Sequence, residues 1–288
     1  MSRIRMCQEV TTMRQRFIWL AASLLTLSGP AFLAQGPAAG QTQSSKTWIG
    51  RNAEFEEFLR TAEIERTSGT AVGVLAPRHA YFKPGGLAAS AAVKPIPPGR
   101  RDGFFESYKS EIAAYKLDRM LDLNMVPPTV ERRYEGRFAS AQLWVENVVM
   151  LSDVRKRGLK DPNPVRWNQN LHRAMVFDDL VGNIDPNEGN WLFDPLWNFF
   201  KIDCSRCFTD TAKIAHDVKK VIRHIDRPFF ERLKALNRDE VRKEIGDLLT
   251  ENNALPTIFR RRDSIVRDFE DLAKQTSEAQ VFEPWMGQ

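Results

Sequence analysis

The apolar pattern of the chain changes period about halfway along its length. Between Ile64 and Val145 the β-prone runs 70–75, 80–83 and 142–145 predict strands around a single helix. That helix is predicted over 105–121, where Ile112, Ala113, Leu117, Met120 and Leu121 recur at helical spacing. Val126-Pro127-Pro128 ends it, because proline cannot continue the ladder and pushes the preceding residue to extended geometry. Leu171, Ala174, Met175, Phe177, Leu180 and Val181 mark a second buried helix that runs out at Gly182-Asn183, and 210–275 reads almost entirely as helix. The pattern predicts an α+β fold with a small mixed lobe over 47–147, a mainly helical lobe over 148–275 and a tail over 276–288.

Residues 1–40 stand apart. Arg3, Arg5, Arg14 and Arg16 precede an apolar run from Phe17 to Leu27, followed by small residues and then the polar stretch from Gln41. This is the order of a secretory signal, and a run of about eleven apolar residues is too short to span a bilayer comfortably. The expectation is export to a periplasmic or extracellular space, with an uncleaved N-terminal anchor as the alternative. No later stretch is apolar enough to cross a membrane, so no span is expected in the mature chain.

Composition adds less. A hydrophobic content of 42% in 288 residues supports a sizeable core, and a net charge of +5 is too mild to call for nucleic acid. Arg260-Arg261-Arg262 with Arg267 shares a helix with Ile258, Phe259, Ile265, Val266 and Phe269, which predicts a solvated basic face rather than a nucleic-acid patch. Cys204 and Cys207 lack the further ligands zinc would need. They are expected as neighbouring buried thiols in preference to a short disulfide.

The chemistry concentrates between Asn183 and Asp203. Two aromatic-rich runs flank Asp194-Pro195, which predicts a β-hairpin, and folding it brings Asn190 at its start beside Asp203 at its end. Asp185 lies five residues before Asn190 in a loop where Gly189 permits a tight turn. Carboxylate and amide oxygens suit a hard cation such as Mg²⁺, which completes its shell with phosphate and water. Upstream, Ala80-Tyr81-Phe82-Lys83 is a strand ending in a cation, and Glu111 sits at the edge of a buried helical face. The two are the candidate ion pair for holding phosphates.

These residues resemble a known group. Glu111-Ile112-Ala113-Ala114-Tyr115 with Val126-Pro127-Pro128 is similar to the corresponding segment of the secretory-pathway casein kinases and their bacterial relatives. Phe177-Asp178-Asp179-Leu180-Val181-Gly182-Asn183-Ile184-Asp185 with Gly189-Asn190, and Ile202-Asp203-Cys204-Ser205-Arg206-Cys207-Phe208, resemble catalytic and metal segments shared more loosely with HipA toxin kinases and phosphatidylinositol kinases. The resemblance implies a two-lobed protein-kinase-like fold that binds ATP with Mg²⁺ or Mn²⁺. It implies Lys83 on the phosphates with Glu111 as its partner, Asp185 as the catalytic residue, and Asn190 with Asp203 on the metal. Gln142, Trp144 and Val145 would form the interlobe strand and hinge that meet adenine. The partner would be a phosphate acceptor of open identity: protein, lipid or small molecule.

Pro186 stands where relatives often carry Arg, and Cys204 where they often carry His, while Ser68-Gly69-Thr70 and Gly73 offer a sparse phosphate loop. A pseudokinase that binds nucleotide or a partner is therefore one alternative. A basic protein that binds anionic surfaces is another.

Overall fold

The computed structural model describes residues 45–69 and 77–287. The expected export segment, the expected strand at 70–75, Thr70 and Gly73 of the phosphate loop, and the last residue Gln288 lie outside the described residues. The described residues belong to the compact unit Thr42–Gln288.

The chain opens with α1 (Asn52–Thr61), then β1 (Ile64–Gly69), β2 (Arg78–Phe82) and β3 (Ser90–Lys94). A short hairpin, β4 (Gly99–Arg101) and β5 (Phe104–Glu106), leads into α2 (Tyr108–Met120), followed by β6 (Thr129–Tyr134) and β7 (Arg137–Leu143). Strands β1, β2, β3, β7 and β6, in that order, make one antiparallel sheet. Its Ala80, Phe82, Ala91, Val93, Val130, Ala139 and Ala141 share a core with Phe55 and Leu59 of α1. The helix expected from 105 begins later, because Ser107 caps it by accepting the Lys109 N–H and Phe104–Glu106 is strand instead.

The second lobe contains β8 (Val149–Met150), α3 (Leu151–Lys156), α4 (Pro164–Val181), β9 (Trp191–Phe193) and β10 (Phe199–Lys201). It continues through β11 (Ile225–Asp226), α5 (Arg227–Ala235), α6 (Arg238–Ile245), α7 (Leu255–Gln275), α8 (Glu278–Val281) and β12 (Phe282–Glu283). Phe177 and Leu180 of α4 meet Phe229 and Leu233 of α5 and Ile258, Phe259, Ile265 and Phe269 of α7 in the larger core. Among the described residues, no helix is long and apolar enough to cross a membrane.

The predicted hairpin is present as β9 and β10, with Trp191 opposite Lys201 and Phe193 opposite Phe199. Strand alternation makes it the seam of the molecule. Trp191, Phe193 and Phe199 belong to the larger core, whereas Leu192 and Phe200 belong to the sheet core.

The turn from α4 into the loop after it depends on Gly182. Asn163 caps the helix start, Pro164 occupies its first turn, and Gly182 at φ +60 ends it in the left-handed region. Arg261 of α7 lies under that glycine, fully buried, with Nε donating to the Leu180 carbonyl at 2.9 Å. This corrects the expected basic face: its central arginine is an interior strut, and burial pulls its pKa down to about 10. A Cβ on Gly182 would stand 2.7 Å from Arg261 Cζ and from Thr209 Oγ1. Left-handed geometry costs an L-residue about 1–2 kcal/mol and overpacking about 1–3 kcal/mol, so Gly182→Ala should lower stability by about 2–5 kcal/mol. Denaturant unfolding of the two proteins measures this, and a loss under about 1 kcal/mol would mean that the contact yields easily.

Candidate active site

The cation at the centre of the site is Lys94. It is the last residue of β3, and its Nζ lies 2.6 Å from Glu111 Oε1 and 2.8 Å from Asp203 Oδ1. Lys83 is elsewhere. It follows the end of β2, is 60% exposed, and pairs with Glu63 at 2.8 Å. The expected Lys83–Glu111 pair is therefore replaced by Lys94–Glu111, with Asp203 on the same ammonium.

A cue to the difference was available. Lys83 is followed by Pro84-Gly85-Gly86, a turn at the margin of the sheet. Lys94 ends Ala91-Ala92-Val93-Lys94, the small and branched run that enters the sheet between β2 and β7 and lies nearest in sequence to α2.

Each acid is fixed by its own element. Glu111 is 2% exposed on the first turn of α2, and its Oε2 accepts the backbone N–H of Cys204 at 3.0 Å. Asp203 stands in left-handed geometry at φ +59 immediately after the hairpin, a conformation in which Asp is enriched among non-glycine residues. Its Oδ1 takes Lys94 and the Ser205 hydroxyl, and its side chain is still 42% exposed. The charge of Lys94 holds the Asp203 carboxyl at about 2, well below the usual range. Burial pushes the Glu111 carboxyl up against the attraction of Lys94. For Lys94, burial opposes the charge, yet the attraction of Asp203 and Glu111 holds its pKa above the ordinary lysine value.

Asn190 closes a 3-10 turn, Glu188–Asn190, that Asn187 caps through the Gly189 N–H. Its carbonyl accepts the N–H of Ile202 at 3.0 Å, which brings it to the neighbour of Asp203 as the hairpin implied. The Asp203 carboxylate and the Asn190 amide are a hard-oxygen donor pair of the kind Mg²⁺ or Mn²⁺ takes when phosphates complete its shell. Among the described residues, no group of three or more His, Cys, Asp or Glu is placed to hold a metal alone.

The loop carrying Asp185 is braced from beneath. Asp178 Oδ1 receives Lys201 Nζ at 2.6 Å and Asn183 Nδ2 at 2.7 Å, tying α4, the loop and β10 together. Asn183 Oδ1 in turn accepts the Asp185 N–H at 3.0 Å. The Asp185 side chain is half-exposed, and its Oδ2 lies 3.2 Å from Arg206 Nη1. Its neighbours Ile184 and Pro186 line a depression of about 390 Å³ together with Asp178, Asp179, Gly182, Thr209 and Thr211 among others.

Cys204 and Cys207 form a disulfide and are not the free thiols expected. Folding brings the two sulfurs together because the intervening residues make a tight turn, in which the Cys207 N–H donates to the Cys204 carbonyl. Sequence reasoning missed this ring, and with it Arg206, which lies inside it.

At the expected hinge, Trp144 donates its N–H to the Ser90 carbonyl and stacks on His79 with ring centroids 3.8 Å apart. His79 in turn lies 4.1 Å from Tyr81. Lys94 marks the cleft face of β3, so Ala92 shares that face, and the register places His79 and Gln142 beside Ala92. The Gln142 amide is engaged within the sheet, donating to Thr129 Oγ1 at 2.9 Å. Val145 packs against the sheet core.

No protein-family model matches the chain, and no curated protein matches it. Solved structures do. The chain is similar to a Golgi casein kinase at 15% identity and a TM-score of 0.60, over 80% of this chain and 77% of that one. A hydra Fam20 structure matches at 16% identity and a TM-score of 0.61, over 80% and 91%. The Helicobacter pylori proinflammatory kinase CtkA matches at 15% identity and a TM-score of 0.53, over 76% and 98%. The chain thus has the two-lobed α+β fold of these kinases, with the antiparallel sheet and α2 in the small lobe and most helices in the large one.

Proposed function

We propose that this protein is a kinase-like phosphotransferase that moves the γ-phosphoryl group of ATP to an acceptor hydroxyl. The observation that carries the reading is Lys94 held between Glu111 and Asp203, since it joins the sheet, the helix and the hairpin at one charged point. In this reading Lys94 binds the phosphates, Glu111 orients Lys94, and Asn190 with Asp203 hold Mg²⁺ or Mn²⁺. The chemistry supplied by a divalent cation there is neutralisation of phosphate charge. A Golgi casein kinase structure similar to this chain has Mn/ADP bound, which supports the same ligands here. Trp144 and Val145 border the purine, and the Gln142 amide, already bound to Thr129, shapes the sheet behind it.

Asp185 receives the proton of the acceptor hydroxyl. The acceptor oxygen forms its bond to the γ-phosphorus as the bond to the bridging oxygen breaks, and ADP leaves with that electron pair. In this reading the acceptor would approach from the depression lined by Ile184 and Pro186, the neighbours of Asp185. Its chemistry leaves protein, lipid and small molecule open.

The disulfide next to Asp203 supports the export reading, because disulfides persist in oxidising compartments. A second reading, nucleotide binding without transfer, is favoured by Pro186 directly after Asp185. The anionic-surface alternative loses its central arginine to the interior.

Losing a hydrogen bond to a charged group costs about 1.5–3 kcal/mol, so Lys94→Met should weaken ADP–Mn²⁺ binding by roughly 10- to 100-fold. Lys83→Met should leave that affinity unchanged. Isothermal titration of both variants decides the assignment, and the opposite ranking would restore Lys83. Asp203→Ala should abolish the metal dependence of nucleotide binding while the fold persists, since Lys94 keeps Glu111. An unaltered Mn²⁺ requirement in that variant would remove Asp203 from the metal site. Asp185→Asn should keep nucleotide affinity and lose about 10²–10⁴-fold in turnover of ATP to ADP. Equal background turnover in wild type and variant, with nucleotide bound, would establish the pseudokinase reading instead.

A further inference from the structure

Arg206 lies between Asp185 and a second acid, Glu106. Its Nη1 is 3.2 Å from Asp185 Oδ2, and its Nε is 2.7 Å from Glu106 Oε1. Glu106 is 1% exposed, at the end of β5, so the second carboxylate is a buried fixture rather than a surface charge. Arg101 Nη1 approaches the other Glu106 oxygen at 3.9 Å, and the Arg206 guanidinium stands 5.1 Å from the Phe104 ring. The backbone beneath Arg206 is closed on both sides. Cys204–Cys207 makes a ring around it, and the Ser205 carbonyl accepts the Ser107 N–H at 3.0 Å.

Ordinary exposed ion pairs contribute little, because long side chains must be ordered to form them. Here the ordering is supplied in advance by the ring, the buried glutamate and the aromatic face. A guanidinium is a planar fork, so anchoring Nε fixes the direction in which Nη1 points. The residue after Asp185 is proline, which offers neither charge nor an N–H, so the aspartate takes its orientation from across the cleft wall.

We propose that Arg206 is the positioning residue for Asp185, presented by the Cys204–Cys207 ring and braced by Glu106 so that the carboxylate is aimed at the acceptor hydroxyl. The proposal rests on the phosphotransferase reading and deepens it. Arg206 acts through Asp185 and has no part in holding the nucleotide. Losing it therefore lowers turnover and leaves nucleotide affinity in place. A lysine keeps the charge but cannot span both acids, so it does not substitute.

The test uses the full chain with ATP and Mn²⁺ or Mg²⁺, water as the acceptor, and ADP formation as the readout. Arg206→Ala and Arg206→Lys should each lose roughly 10- to 100-fold in kcat, the scale on which misplacing a reacting group by about 1 Å acts. ADP affinity should stay within about threefold of wild type, as expected when an interaction made only in the transition state is removed. Added guanidinium should recover part of the Arg206→Ala turnover and none of the Asp185→Asn turnover, a response that a merely structural role would not give. Opening the ring with Cys204→Ser and Cys207→Ser, in protein that still binds ADP, should reproduce the Arg206→Ala loss. Asp185→Asn inactive beside Arg206→Ala or Arg206→Lys at wild-type turnover overturns the assignment alone. Wild type and Asp185→Asn both at background would mean that the phosphotransferase reading has failed, and the role of Arg206 with it.

Discussion

The site depends on an ammonium group that has been taken almost out of water. Desolvating a charge costs several kcal/mol even after relaxation, and only close, well-aligned partners offset it. Lys94 finds two, Glu111 from α2 and Asp203 from the end of the hairpin, at 2.6 and 2.8 Å. Three elements must therefore be in register at once. The sheet has to deliver Lys94, the helix has to turn Glu111 inward, and the hairpin has to stop with Asp203 at the cleft. The Cys204 N–H on Glu111 closes the arrangement by joining the acid on the helix to the chain just past the hairpin.

Beneath that cluster, the loop of Asp185 is held by a second set of interior charges. Asp178 pairs with Lys201 and Asn183, and Arg261 reaches the carbonyl of Leu180 under Gly182. Such groups are poor sources of net stability, since apolar replacements of equal volume often do as well. Their usefulness is in direction. A buried ion pair that loses one partner is strongly penalised, so alternative placements of the loop are suppressed. The hairpin contributes the same rigidity by apolar means, with alternate residues sunk into the two cores.

Much of this was legible in residue order. Asn190 and Asp203 could be placed because a hairpin converts sequence spacing into adjacency, and the aromatic runs around Asp194-Pro195 announce the hairpin. The helix of Glu111 and the glycine stop at Gly182 follow from local periodicity and capping, which depend on near neighbours alone.

What needed the tertiary structure was every choice between chemically similar residues. Lys83 follows one short strand and Lys94 ends another, and sheet pairing fixes that the first lies beside Glu63 while the second lies between β2 and β7 facing Glu111. Arg261 resembles its neighbours Arg260 and Arg262 in sequence, but the face it presents points into the core under Gly182. Cys204 and Cys207 read as buried thiols in sequence, and only the turn between them shows the bridge. Arg206 lies in the segment that resembles the metal-binding one but has no role there, and its place beside Asp185 and Glu106 is a product of long-range folding. The sequence by itself determined the elements and the pair Asn190 and Asp203 that one hairpin brings together, because those follow from local periodicity and turn chemistry. The partners of each charge were decided by the tertiary structure, because burial and pairing belong to contacts between segments far apart in the chain.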